Sequence, residues 1–114
     1  MKVKVIFEVG DYVTNATDDL ELTYFNDEAP YFKKNYVEDT FQVGKKMTNS
    51  PCIEGFLQVS FKCADEVEIA AETIEEALTI AEENIDEVRE NYFDGEGNIF
   101  SDFYIDGTFE VVRE

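Results

Sequence analysis

Apolar and polar residues alternate at the start of the chain. Val3, Val5, Phe7 and Val9 fall on one side, and Lys2, Lys4, Ile6 and Glu8 on the other. A period of two predicts a strand over residues 2–9 with one apolar face. Gly10-Asp11 and the run from Thr14 to Asp19 carry turn chemistry. Leu20, Leu22 and Tyr24 then alternate with Glu21 and Thr23, which predicts a second strand. Residues 26–36 suit a short helix, with Asn26 or Asp27 as its cap and Pro30 in its first turn. Residues 37–54 show no clear period, and Gly44-Lys45-Lys46 and Asn49-Ser50-Pro51 read as loop.

The second half is patterned more strongly. Leu57, Val59, Phe61 and Cys63 share one face of a strand expected over Phe56 to Cys63. Ala64-Asp65 reads as a short connection, and Glu66 to Ala70 as a hairpin partner with Val67 and Ile69 inward. Thr73 is placed as an N-cap, with Glu76 where a capping box needs it. Ile74, Ala77, Leu78, Ala81, Ile85, Val88 and Tyr92 then form one helical stripe, which predicts a long amphipathic helix over 73–92. Asp94-Gly95 and Gly97 end it. Ile99 to Ile105 reads as a strand, Asp106-Gly107 as a two-residue hairpin turn, and Thr108 to Arg113 as the returning strand.

The expected architecture is α+β, a single domain over residues 1–114. An antiparallel sheet of about five or six strands would pack on the helix 73–92, with the short second helix at 26–36. A faint internal echo runs through the strands: Val5, Phe7, Asp11 and Val13 match Val59, Phe61, Asp65 and Val67 at one offset.

The segment Val67-Glu68-Ile69-Ala70-Ala71-Glu72-Thr73-Ile74-Glu75-Glu76-Ala77-Leu78, with the strand before it and Asp102-Phe103-Tyr104-Ile105 after it, resembles the small DpnD/PcfM-like accessory proteins of phages and plasmids. The resemblance covers about half the chain and leaves out residues 1–55. It implies an accessory protein of a mobile element and brings no catalytic residues with it.

Composition supports a packed domain and narrows its chemistry. The 114 residues are 44% hydrophobic, with ten Phe and six Tyr to fill a core. The chain contains no His, which excludes His-based triads and zinc sites. No glycine loop of phosphate-binding type follows a strand. Cys52 and Cys63 have no metal-ligand spacing and read as core thiols of a reducing, cytoplasmic protein. Met1 opens straight into the charged first strand, so no signal peptide is expected, and no apolar run is long enough to span a membrane. Asn15-Ala16-Thr17 matches a glycosylation sequon by chance in that setting. Asp94-Gly95-Glu96-Gly97-Asn98-Ile99 resembles part of a calcium loop. In either register the chain puts Tyr92 and Phe103, or Ile99 and Ile105, where ligands or the glycine belong. No cofactor, metal or catalytic site is therefore expected.

Charge is the outlying property. The formal balance is −18. Residues 1–64 hold ten acids and seven lysines, a balance of −3; residues 65–114 hold seventeen acids against Arg89 and Arg113, a balance of −15. Such a chain repels nucleic acid and anionic membranes and attracts cationic surfaces. Glu75, Glu76, Glu82, Glu83, Asp86, Glu87 and Glu90 line the polar face of the expected helix. Glu82–Asp86, Glu83–Glu87 and Asp86–Glu90 are like-charged at four-residue spacing, and the last acids oppose the helix dipole. These seven residues are the candidate partner-binding surface, standing in for nucleic-acid phosphates against a basic nucleic-acid-binding protein. The expected function is non-catalytic inhibition by DNA mimicry, of anti-restriction or anti-CRISPR type. The alternative is a small interaction or structural domain whose acidity serves solubility, with Tyr31, Phe32, Tyr36 and Phe41 near Lys33 and Lys34 as its contact patch. The sequence leaves oligomeric state open.

Crowded carboxylates raise one another's pKa. A raised folded pKa gives stability that is present at low pH and lost as pH rises. Mild acidification or added salt is therefore expected to raise the melting temperature. A melting temperature that falls between about pH 7 and pH 5.5 would contradict this.

Overall fold

The first alternating run does not stop at Val9. In the computed structural model, which describes residues 1–13, 19–44, 57–95 and 97–113, it continues as a twelve-residue strand, β1 (Lys2–Val13). Val3, Val5, Phe7, Val9 and Val13 are all buried on one face. Short elements come next. α1 (Leu20–Thr23) runs into a π-turn at Tyr24–Glu28, a 3₁₀ turn covers Pro30–Phe32, and β2 is Gln42–Val43. β3 (Leu57–Glu68) is again twelve residues long. α2 (Ile74–Glu83), α3 (Ile85–Phe93) and β4 (Glu110–Val111) complete the chain.

The fold is mixed α and β, but the expected arrangement is not what forms. Among the described residues the sheet has four strands in the order β2-β3-β1-β4, all antiparallel, and it curls into a half-barrel. No single long helix packs on a five- or six-stranded sheet. Six local expectations account for the difference.

Residues 20–24 are helical rather than extended. Leu20, Tyr24 and Phe25 are buried while Leu22 is 62% exposed, a helical spacing that the short alternation conceals. Helical structure thus begins before residue 26, and Pro30 opens the 3₁₀ turn behind Ala29 instead of sitting in a helix capped by Asn26 or Asp27. Ala64-Asp65 makes no turn, because β3 passes straight through it and pairs with β1 from Lys2↔Glu68 to Val13↔Leu57. Opposite charges on the outer face support that register, with Lys2 across from Glu68, Lys4 from Glu66 and Glu8 from Lys62.

The helix 73–92 is two helices. Thr73 caps α2 as expected, its Oγ1 accepting the Glu76 N–H at 3.2 Å. Asn84 then leaves helical geometry (φ −116°, ψ 33°). Its side-chain amide donates to the Ile80 carbonyl at 2.9 Å, the same carbonyl that accepts its backbone N–H. An Asn that bonds local backbone in this way competes with helix continuation. The break also suits the packing. α2 buries Ala77, Leu78 and Ala81 against Val3 and Ile69, whereas α3 lays Ile85, Val88, Tyr92 and Phe93 on the larger aromatic cluster.

Asp106-Gly107 is not a hairpin turn either. Tyr104 pairs antiparallel with Val9, and Val111 pairs antiparallel with Val5, so the chain keeps one direction along β1 and bulges between them. Gly107 supplies the positive φ (+84°) that the bulge needs. Residues 99–103 are turns, held by Phe103 N–H and Tyr104 N–H donating to the Phe100 carbonyl, and not a strand.

The echo in the strands belongs to a pseudo-twofold arrangement. Tyr36 pairs with Cys63, and β2 places Val43 on Val59, as Tyr104 pairs with Val9 and Val111 with Val5. The offset that takes Phe7 to Phe61 relates the central strands. A second offset, taking Tyr24 to Tyr92, relates the helical turns and edge strands of the two halves. Tyr24, Phe25, Phe32, Tyr36, Thr40, Phe41 and Val43 recur as Tyr92, Phe93, Phe100, Tyr104, Thr108, Phe109 and Val111. Five rings surround Phe61 at centroid distances of 5.0–6.1 Å: Tyr24, Phe25, Phe32, Tyr36 and Phe41. Their counterparts Tyr92, Phe93, Phe100, Tyr104 and Phe109 surround Phe7 at 5.1–6.2 Å. Phe32 and Phe100 stack on each other at 5.5 Å, where the halves meet. Each half thus lays its rings and its edge strand on the other half's central strand. α3 corresponds to α1 and the π-turn, and α2 is the addition of the second half.

The bulges repeat as well. Thr40 Oγ1 donates to the Val37 carbonyl (2.6 Å) and accepts from Lys62 N–H (3.0 Å). Thr108 Oγ1 donates to the Ile105 carbonyl (2.7 Å) and accepts from Glu8 N–H (2.9 Å). A threonine hydroxyl fills the ladder position that the bulge vacates. Thr40→Val and Thr108→Val keep the shape and leave an inward N–H unpaired, so each is expected to cost about 1–3 kcal/mol, with similar values at the two sites. Urea unfolding measures this, and a large cost at one site with none at the other would contradict the equivalence.

Candidate functional site

The seven carboxylates expected to bind a partner are all on the surface of α2 and α3, and all are exposed. The break at Asn84 divides them. Glu75, Glu76, Glu82 and Glu83 belong to α2; Asp86, Glu87 and Glu90 belong to α3. They do not form one straight row along one rigid helix.

Nor are they uniformly unpaired. Arg113, just past β4, reaches back to α2. Its Nε donates to Glu82 Oε1 at 2.7 Å, its Nη2 also contacts Glu82, and its Nη1 lies 3.6 Å from Glu75. The hydrogen bond from Arg113 holds the Glu82 carboxyl below its ordinary pKa. Arg89 lies 3.5 Å from Asp86 and 3.9 Å from Glu90. Among the described residues, Glu76, Glu83 and Glu87 have no basic partner. The chain's two arginines thus engage four of the seven acids, and three face solvent with their charge uncompensated.

Two further carboxylates point into the fold. Asp11 on β1 accepts the Tyr24 hydroxyl at 2.9 Å, and Asp65 on β3 accepts the Tyr92 hydroxyl at 2.7 Å. Burial, with the adjacent carboxylate, pushes both phenols far above their usual pKa. These phenols are fixed donors that tie each helical turn to the central strand of its own half. Burial raises the Cys63 thiol to about 12, so it is an unreactive core group.

The aromatic patch of the alternative reading is mostly core. Phe32 is fully buried, Tyr36 and Phe41 are half-buried on Phe61, and Tyr31 stays 49% exposed. Near that segment the structure forms a cleft of about 450 Å³. Phe25 and Tyr36, with ring centroids 4.4 Å apart, form its aromatic lining. Glu21, Glu38 and Asp39 line it together with Lys33. The other half carries the equivalent cleft, of about 470 Å³. Phe93 and Tyr104, again at 4.4 Å, are its aromatic pair, and Glu90, Asp94 and Asp106 line it with Arg89. Sequence pattern alone marks Tyr36, Lys33, Arg89, Glu90 and Asp94 for other reasons and does not bring these residues together as clefts. Continuing the strand echo past the first offset, from Tyr24-Phe25 to Tyr92-Phe93, would have found both lining pairs.

Among the described residues no group of three or more Cys, Asp or Glu side chains is placed to hold a metal ion, and no helix is long and apolar enough to cross a membrane. The calcium-like loop lies partly outside the described residues, as do the sequon at 15–17, Cys52 and the loop signals at 45–51. No family model, curated protein or solved structure matches the chain.

The Arg113 cluster reverses the pH expectation locally. A depressed folded pKa gives Glu82 a stabilising contribution present above its unfolded pKa and lost as pH falls through the folded value. Arg113→Gln is therefore expected to lower the melting temperature at neutral pH, with the difference from the parent shrinking toward zero in acid. A difference that stays constant down to about pH 2.5 would show that Arg113 acts through packing alone.

Proposed function

We propose that this chain is a non-catalytic, acidic binding protein that occupies the cationic surface of a nucleic-acid-binding protein and so excludes nucleic acid from it. The observation that carries this reading is the exposed position of all seven α2–α3 carboxylates, three of them without a basic partner among the described residues. The break at Asn84 leaves Asp86–Glu90 as the one like-charged pair of the three that lies within a single helix, and Arg89 bridges it, so the reading rests on the exposed, unpaired charge of Glu76, Glu83 and Glu87. Charge on well-packed elements steers a basic partner and gains from counterion release when it binds. Competition of this kind requires no catalytic residue or cofactor. The cytoplasmic setting and the mobile-element origin implied by the DpnD/PcfM-like resemblance belong to the same proposal, with restriction or CRISPR nucleases as the class of target.

The test is capture from a nuclease-treated lysate at low and moderate salt, with a variant carrying Glu76→Lys, Glu83→Lys and Glu87→Lys. These positions leave the Arg113 and Arg89 pairs intact. The expected result is one basic nucleic-acid enzyme, displaced by added DNA and lost by at least about tenfold in the folded variant. A partner indifferent to DNA, to salt and to the three substitutions would sink the proposal.

A further inference from the structure

The two clefts differ at most equivalent positions, yet they arrive at the same chemistry. Glu21 in the first corresponds to Arg89 in the second, Leu22 to Glu90, Asn26 to Asp94, Lys33 to Ser101, and Asp39 to Gly107. Glu38 keeps its carboxylate as Asp106, and the other charges have moved from place to place between the halves. Even so, each cleft keeps three carboxylates against one cation beside a close Phe–Tyr pair. Core packing explains why the rings recur. It does not explain why exposed positions that were free to change returned to the same balance.

A concave site with an aromatic wall and a surplus of carboxylates suits a guanidinium. That group is planar, stacks on rings, and offers several donors to separate carboxylates. Each cleft leaves two carboxylates available to such a ligand. In the first, Glu38 and Asp39 have no basic partner among the described residues, and Lys33 is held 3.3 Å from Asn26. In the second, Arg89 is turned toward Asp86 and Glu90, which leaves Asp94 and Asp106 without a basic partner among the described residues.

We infer that the paired clefts are guanidinium sites, each receiving one arginine side chain of the basic partner. The inference rests on the proposed basic-partner function and adds to it a defined contact on each side of the pseudo-twofold. It also moves the specific part of recognition away from α2, leaving the helix acids to steer.

The experiment is an NMR titration of the full chain with a hexa-arginine peptide at low salt. Three variants are compared with the parent: Glu38→Gln/Asp39→Asn, Asp94→Asn/Asp106→Asn, and Glu83→Gln/Glu87→Gln. Each removes two charges from exposed positions, and the spectrum of each reports whether it is folded. The expected result is movement of the Tyr36 and Tyr104 ring signals on binding. Each cleft variant should weaken its own site by roughly three- to tenfold, and the helix variant by less. If the helix variant weakens binding as much as the cleft variants, or if the ring signals do not move while the peptide binds, the guanidinium sites are refuted and the basic-partner reading survives. If the peptide does not bind at all, both fail.

Discussion

The rest of the molecule depends on the ladder between β1 and β3. Two twelve-residue strands run antiparallel over their full length and bury their shared face. Phe7 and Phe61 project from that face, and each collects five rings from the opposite half. Aromatic pairs of this kind add about 0.5–1.5 kcal/mol each beyond the area they bury. The ladder therefore fixes where the helical turns must sit, and the rings fix how they turn.

Interlocking is the consequence. β2 adds to β3 and β4 adds to β1, so neither half closes its own sheet. The Tyr24–Asp11 and Tyr92–Asp65 bonds act within a half, while the ring clusters act between halves. Removing either half would expose the other's central phenylalanine. The two repeats are thus one cooperative unit, although they are recognisable as copies.

How much of this the sequence shows depends on the range of each interaction. The strand faces at Val3 to Val9 and Val59 to Cys63 are legible because alternation is local. So is the Thr73 cap, which is settled within three residues. The continuity of β3 through Ala64-Asp65 is not, since only pairing with a distant β1 keeps those residues extended. Asp106-Gly107 has the composition of a hairpin turn, yet both flanks are claimed by the same neighbouring strand. The stripe from Ile74 to Tyr92 is continuous, but it faces two different targets, and the helix breaks at Asn84 where the target changes. The charge of the acidic faces was visible at once. Their pairing was not, because Arg113 meets Glu82 only after β4 has joined the sheet.

The acids sit where this arrangement leaves room for them. α2 has no counterpart in the first half, and it rests on the small cluster of Val3, Ile69, Ala77, Leu78 and Ala81, apart from the ring clusters. Its outer face is free of the constraints that hold the repeated elements, so its composition can drift toward charge at little cost to the core. The inner faces of the repeated helices have no such freedom. Leu20, Tyr24 and Phe25, and their counterparts Val88, Tyr92 and Phe93, are committed to Phe61 and Phe7. Residues flanking them, Glu21, Leu22 and Asn26 in the first half and Arg89, Glu90 and Asp94 in the second, line one side of each cleft. A duplicated scaffold of this kind separates two tasks by position. Exposed acids lie on the outer faces of both α2 and α3, where their charge acts over about a Debye length. In the proposed reading, short-range recognition falls to the clefts, where rings held by the core lie beside the surrounding carboxylates.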